Sequence, residues 1–191
     1  MIEVKRVTLV GCMGSGKTTL SQLLAERWNW RALDLDRVIE LQAPARLALD
    51  DADPVSISTL FDTYGEGTFR RLERDCLDDV LGESEVIIAT GGGTPALEGA
   101  MTKILAAGPA VWLDGDLDVL LDRARTESNR PLLAGLSRTE AQEVHTALAA
   151  ARRCHYDRAS ARVDVSDGEP REVADRVEAA LVALGEGPWS R

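Results

Sequence analysis

Gly11, Gly16, Lys17 and Thr18 stand at the spacing G-x-x-x-x-G-K-[ST] in the run VTLVGCMGSGKTTL, residues 7–20. Each residue type has a chemical reason to be there. The glycines let the backbone fold so that successive N–H groups point into one hollow. A helix starting near Gly16 adds its unpaired N–H groups and the positive end of its dipole. Lys17 is then a solvent-facing ammonium that reaches the outer phosphates of a ligand, and the Thr18 hydroxyl is a ligand for Mg2+. An ordinary strand–turn–helix connection is the competing reading, but the pattern follows an apolar strand and opens a helix, as phosphate binding requires.

Phosphoryl transfer needs positioning and charge neutralisation more than covalent chemistry. Asp34 and Asp36 flank one residue at the end of a short apolar run. Asp34 suits Mg2+ beside Thr18, and Asp36 suits a hydroxyl whose proton must be oriented or taken. An aspartate capping a helix is the alternative for this pair. Gly91-Gly92-Gly93 after a buried strand lets backbone N–H groups approach a ligand. Arg70 and Arg71 open an amphipathic helix and either clamp a carboxylate or lie in solvent. Arg130-Pro131 lies in a polar stretch between helices, where a closing lid would carry a cation. Arg152 and Arg153 come late in a long helix. His145 and His155 lack a partner at metal spacing and read as core or surface residues. Cys12 lies in the glycine-rich turn, where a positive field would lower its thiol pKa; a small residue tolerated in the turn is the plainer reading.

These residues need elements to position them. Strands are expected at 4–10, 32–34, 86–90, 110–113 and 162–165. Helices are expected at 18–28, 36–42, 56–61 (broken by Gly65 and Gly67), 68–81, 99–107, 117–125, 138–158 and 170–184. Residues 43–54, bracketed by Pro44 and Pro54, read as a solvated loop with a helical turn at 46–49. The acids Asp50, Asp51 and Asp53 read there as surface rather than a metal site. Strands alternating with helices imply βαβ units and a parallel sheet, with ligands beyond the carboxyl ends of the strands. Those ends are where residues 11–18, Asp34 and Asp36, and Gly91–Gly93 fall.

The chain has 191 residues, 45% hydrophobic and 28% charged, which suits one α/β domain. No apolar run approaches about 18 residues, and the N-terminus lacks a signal pattern, so a cytoplasmic protein without membrane association is expected. Three scattered cysteines give no disulfide framework. The net charge of −10 argues against a nucleic-acid partner. An anionic ligand must therefore be held by local cations against the global field.

Taken together, GCMGSGKTT, LDLD, FRRLE, ATGGG, NRPLL and an arginine four residues before a tyrosine occur in an order that resembles the shikimate kinase family, within the nucleoside-monophosphate-kinase-like P-loop kinases. The resemblance runs over residues 4–177. It implies a three-layer α/β/α fold with a five-stranded parallel sheet of order 2-3-1-4-5. It also implies a single domain over 1–191, with a substrate-binding region at about 36–73, a lid at about 125–138 and a frayed tail at 185–191. It implies an ATP- and Mg2+-dependent kinase that phosphorylates a hydroxyl of shikimate, and a monomer. On this reading Lys17, Asp36 and Arg130 are catalytic. Gly14, Ser15, Gly16, Lys17, Thr18 and Thr19 bind the ATP phosphates together with Arg130, while Arg123 and the 167–170 region, with Pro170, flank the adenine. Asp36, Arg70, Gly91, Gly92, Gly93 and Arg152 hold shikimate, and Thr18 and Asp34 serve Mg2+. Two departures stand out. Residues 36–61 are about ten longer than usual for the family, and its R-x-P-L-Y appears as Arg152-Arg153-Cys154-His155-Tyr156, which leaves Arg153 as an alternative to Arg152. A kinase of a related cyclitol or sugar-acid alcohol, and a non-catalytic nucleotide-binding module, are the competing readings.

Overall fold

Val7, Thr8, Leu9 and Val10 are all buried, so both faces of the strand Arg6–Val10 (β1) are covered. A continuous apolar run has this meaning in a parallel sheet, where helices close both sides. The fold is that of a computed structural model, described for residues 2–3, 5–50, 53–126 and 135–187. Strands Arg31–Asp34 (β2), Val86–Ala89 (β3), Ala110–Asp114 (β4) and Ala161–Asp164 (β5) join β1 in one five-stranded sheet. Every pairing is parallel and the order is β2-β3-β1-β4-β5, the 2-3-1-4-5 order the resemblance implies.

Helices Lys17–Trp28 (α1), Leu35–Arg46 (α2), Ile57–Gly82 (α3), Ala100–Ala107 (α4), Leu117–Thr126 (α5), Arg138–Tyr156 (α6) and Pro170–Ala183 (α7) form the outer layers. Helices α1 and α7 are pinned together by Trp28 Nε1, which donates to Glu178 at 2.8 Å, and by Arg27 with Asp175 at 2.6 Å. No helix among the described residues is long and apolar enough to cross a membrane.

Three local expectations are corrected. First, α2 does not stop at Gln42 but runs through Pro44 to Arg46. A proline here leaves the Glu40 carbonyl without its helical donor. The Val55 N–H takes that place at 3.1 Å, so the returning chain completes the helix. Residues 43–46 are therefore helical, with Ala43 and Pro44 buried. Arg46 reaches Asp79 on α3 at 2.5 Å and Asp75 at 3.7 Å.

Second, α3 begins at a Ser56 cap that accepts from the Thr59 N–H and is broken at Gly65 alone, where φ is 77° and ψ 164°. Gly67 continues the helix. Third, the expected frayed tail is partly ordered, because Glu186–Gly187 pair in parallel with Ile2–Glu3. Residues 2–3 thus belong to a separate two-stranded pairing, and β1 begins at Arg6, with Lys5 outside it.

The kink separates the two glycines experimentally. At Gly65 nothing would touch an added Cβ, but its backbone conformation is almost confined to glycine. Gly65→Ala should cost about 1–3 kcal/mol in urea denaturation. Gly67→Ala, also unobstructed, should be neutral or stabilise by about 0.5–1 kcal/mol.

Candidate active site

The phosphate loop between β1 and α1 is packed backbone against backbone. A Cβ at Gly11 (φ 144°) would lie 2.4 Å from the Leu113 carbonyl oxygen, and one at Gly14 (φ 78°) 1.9 Å from that of Leu120. Only glycine fits either position. Gly16 caps α1 in the left-handed region.

Lys17 is not solvent-facing. It is buried, and its Nζ donates to the Gly11 carbonyl at 2.9 Å, the Cys12 carbonyl at 2.7 Å and Ser15 Oγ at 3.3 Å. These oxygens hold the ammonium inside the loop it serves. Cys12 is also buried, and burial raises its thiol pKa against the lowering influence of Lys17. The field of the loop therefore does not activate it.

Asp34 is the helix cap, and it also reaches Thr18. Its Oδ1 caps α2, accepting from the N–H groups of Asp36 at 3.0 Å and Arg37 at 3.4 Å. Its Oδ2 accepts the Thr18 hydroxyl at 2.6 Å. The cap fixes the carboxylate, and the second oxygen faces the phosphate loop. Asp36, in the first turn of α2, lies beside Gly91, where a Cβ would come within 2.8 Å of its Oδ1. Glycine at 91 is thus what lets the carboxylate in.

The third glycine marks where the cations meet. A Cβ at Gly93 would be 3.1 Å from Arg70 Nη1 and 3.5 Å from Arg152 Nη2. Arg70 donates to Glu73 Oε2 at 2.7 Å and to Glu66 at 3.2 Å, and lies 5.3 Å from the Phe69 ring centre. Glu73 is fully buried, and its other oxygen accepts the Thr94 hydroxyl at 2.6 Å. Arg152, on the last turns of α6, lines the same cavity as Arg70.

Arg71 is exposed, and Arg153 points away from the site to Asp157 at 3.8 Å and the Trp112 ring at 5.8 Å. Of the two arginines in the altered motif, Arg152 is the one that lines the cavity with Arg70. Tyr156, four residues on, donates to the Gly92 carbonyl at 2.6 Å and stacks on Trp112, ring centres 5.8 Å apart. Burial pushes its phenol pKa well up, so it remains a donor.

These groups line two cavities joined by a gap. One, of about 290 Å3, is bounded by Asp36, Arg70, Gly91–Gly93 and Arg152. The other, about 370 Å3, is bounded by Gly14–Gly16, Thr19, Arg123 and Pro170. Between them Lys17, Thr18, Asp34 and Asp36 line a gap of about 50 Å3. Arg123 donates to the Val165 and Ser166 carbonyls at 2.6 and 3.3 Å, holding the loop that carries Pro170. Arg130, with most of the expected lid, lies outside the described residues. Among the described residues no three His, Cys, Asp or Glu are grouped to hold a metal ion.

A family model described as shikimate kinase matches residues 13–182. The chain belongs to the shikimate kinase family. Shikimate kinase of Persephonella marina is 31% identical over 91% of this chain and 97% of its own length. That of Geobacter sulfurreducens is 34% identical over 91% of this chain and 88% of its own. The crystal structure of the Bacteroides thetaiotaomicron shikimate kinase superposes with a TM-score of 0.82 at 30% identity, covering 94% of this chain and 99% of that one. The Acinetobacter baumannii shikimate kinase, solved in complex with shikimate, gives 0.81 at 25%, covering 95% and 94%.

Glu73 lines the cavity of Arg70 and is held by Thr94, and sequence reasoning singles out neither. The available signal is a lone carboxylate on the buried face of α3, three residues after Arg70, among Leu72, Cys76 and Leu77. Removing it strips partners from a buried hydroxyl and a half-buried guanidinium. Glu73→Ala should therefore destabilise the fold by about 3 kcal/mol in denaturant titration.

Proposed function

We propose that this chain transfers the γ-phosphoryl group of ATP to a hydroxyl of shikimate. The observation that carries this reading is the convergence of Arg70 and Arg152 at Gly93, in a cavity that shares Asp36 with the gap lined by Lys17 and Thr18. Two guanidinium groups at one point suit a carboxylate, held in bidentate fashion. A small hydroxylated acid anchored there presents a hydroxyl to Asp36. Asp36 orients that hydroxyl and takes its proton as the oxygen bonds to the γ-phosphorus and the bond to the β–γ bridging oxygen breaks.

The donor takes the second cavity, its base between Arg123 and Pro170 and its phosphates over the N–H groups of residues 14–19. Lys17, already held within the loop, neutralises the developing charge, and Arg130 adds a further cation from the lid. The Thr18 hydroxyl and Asp34 Oδ2, 2.6 Å apart, are hard oxygen donors that fit Mg2+, whose remaining positions phosphate oxygens and water would fill. When bound, that ion supplies charge neutralisation of the phosphates. The substrate-binding region at 36–73 contains α2, with its longer connection to Ser56, and the first part of α3.

An acceptor panel tests the reading. With ATP and Mg2+, shikimate should be turned over faster than quinate, gluconate and inositol. Robust turnover of another alcohol with none of shikimate would move the assignment to a related kinase, and ATP binding without any transfer would make the chain a nucleotide-binding module. Arg70→Ala should raise the KM for shikimate at least about tenfold, as expected for a lost charge-assisted pair, and leave the KM for ATP within about twofold. An equal change in both would place Arg70 on the nucleotide side.

A further inference from the structure

His145 lies on α6 and is 1% exposed, its Nε2 3.3 Å from the Met13 carbonyl oxygen in the phosphate loop. A carbonyl oxygen only accepts, so Nε2 carries the proton and Nδ1 presents a lone pair. That Nδ1 is buried with no partner among the described residues. Burial, with the charges of Arg152 and Lys17, lowers the pKa of the ring against the raising influence of the Met13 carbonyl, so it sits there neutral. An apolar side chain would fill the same space without stranding a nitrogen. The feature that offsets this cost is the contact with Met13.

The place of that contact gives it consequence. Met13 borders both the cavity of Arg70 and Arg152 and the gap beside Lys17. In a planar trans peptide the carbonyl and the following N–H point in opposite directions. With the Met13 carbonyl turned towards α6, the Gly14 N–H is turned away from it, and Gly14 borders the gap and the nucleotide cavity. The support is itself fixed. Gln142 on α6 donates to Asp118 on α5 at 2.7 Å, and Tyr156 at the far end of α6 donates to Gly92.

We propose that His145 is a positioning residue for phosphoryl transfer, its hydrogen bond to the Met13 carbonyl setting the direction of the Gly14 N–H at the junction of donor and acceptor. The inference rests on the kinase reading above. A donor aimed where negative charge develops acts on the chemical step rather than on binding.

Gln and Met are similar in length and shape, and of the two only Gln offers an N–H. His145→Met should lower kcat roughly five- to tenfold, the scale of one lost hydrogen bond, with the KM values for ATP and shikimate within about twofold of wild type. His145→Gln should retain kcat within about twofold. Thermal unfolding of both variants, and kinetics with whichever acceptor the wild type turns over, accompany the comparison. Failure of the acceptor assignment thus shows in the wild type and failure of the His145 assignment in the variants. Equal kcat in the Met and Gln variants, or a loss confined to KM, overturns the proposal. If the Met variant does not fold, a Gln variant that folds yet loses kcat fivefold or more overturns it, and one that keeps kcat supports it.

Discussion

The phosphate loop stands where it does because two pieces of backbone touch without side chains between them. Gly11 meets the carbonyl of Leu113 near the end of β4, and Gly14 meets that of Leu120 in the first turn of α5. No side chain could stand at either glycine without moving the loop away from this seat, since a Cβ would collide with backbone. That seat determines the rest of the donor side. Gly16 turns into α1, the dipole of α1 points at the hollow, and Lys17 folds back onto the carbonyls of the loop that precedes it. The ammonium serves the loop even without a ligand, cancelling carbonyl charge that would otherwise face an incoming phosphate.

The acceptor side is organised by charge compensation rather than by close packing. In a chain of net charge −10, two guanidinium groups are brought to one glycine. One of them, Arg70, is neutralised from within by Glu73, which is itself held by Thr94. Glu73 is buried and fixed by Thr94, so its bond sets the direction of the half-buried Arg70 guanidinium. The three glycines divide the work. Gly91 admits the Asp36 carboxylate, Gly92 offers its carbonyl to Tyr156, and Gly93 leaves room for the cations.

Much of this is legible in the sequence. The five strands, their parallel sense and the seat of the phosphate motif come from apolar runs alternating with helical periods, and the strand order from the family resemblance. Asp34 can be read as a cap or a metal ligand. The cap is what forms, through one oxygen, and the other oxygen accepts the Thr18 hydroxyl. What escapes such reading is long-range. No local rule reveals that Val55 supplies the N–H that Pro44 lacks, so a proline-based boundary ends the helix too soon. Nor can spacing show that residues 186–187 meet residues 2–3, or that His145 faces Met13 across more than a hundred residues of chain. Glu73 is closer to hand, since a carboxylate on an otherwise apolar helical face has to find a partner.

The Val55-to-Glu40 bond bears on how a change of length after α2 would be absorbed. The segment after α2 leaves at Leu47, whose N–H is tied to Ala43, and is caught again at Val55. Both ends are therefore anchored to the last turns of one helix, and the chain between them is a closed excursion from a stationary base. For such an excursion the entropic cost grows only with the logarithm of its length, about 0.6 kcal/mol for each doubling. Residues can be gained or lost between these two points while Asp36, at the other end of α2, keeps its place. A change of length there is in this sense decoupled from the placement of Asp36.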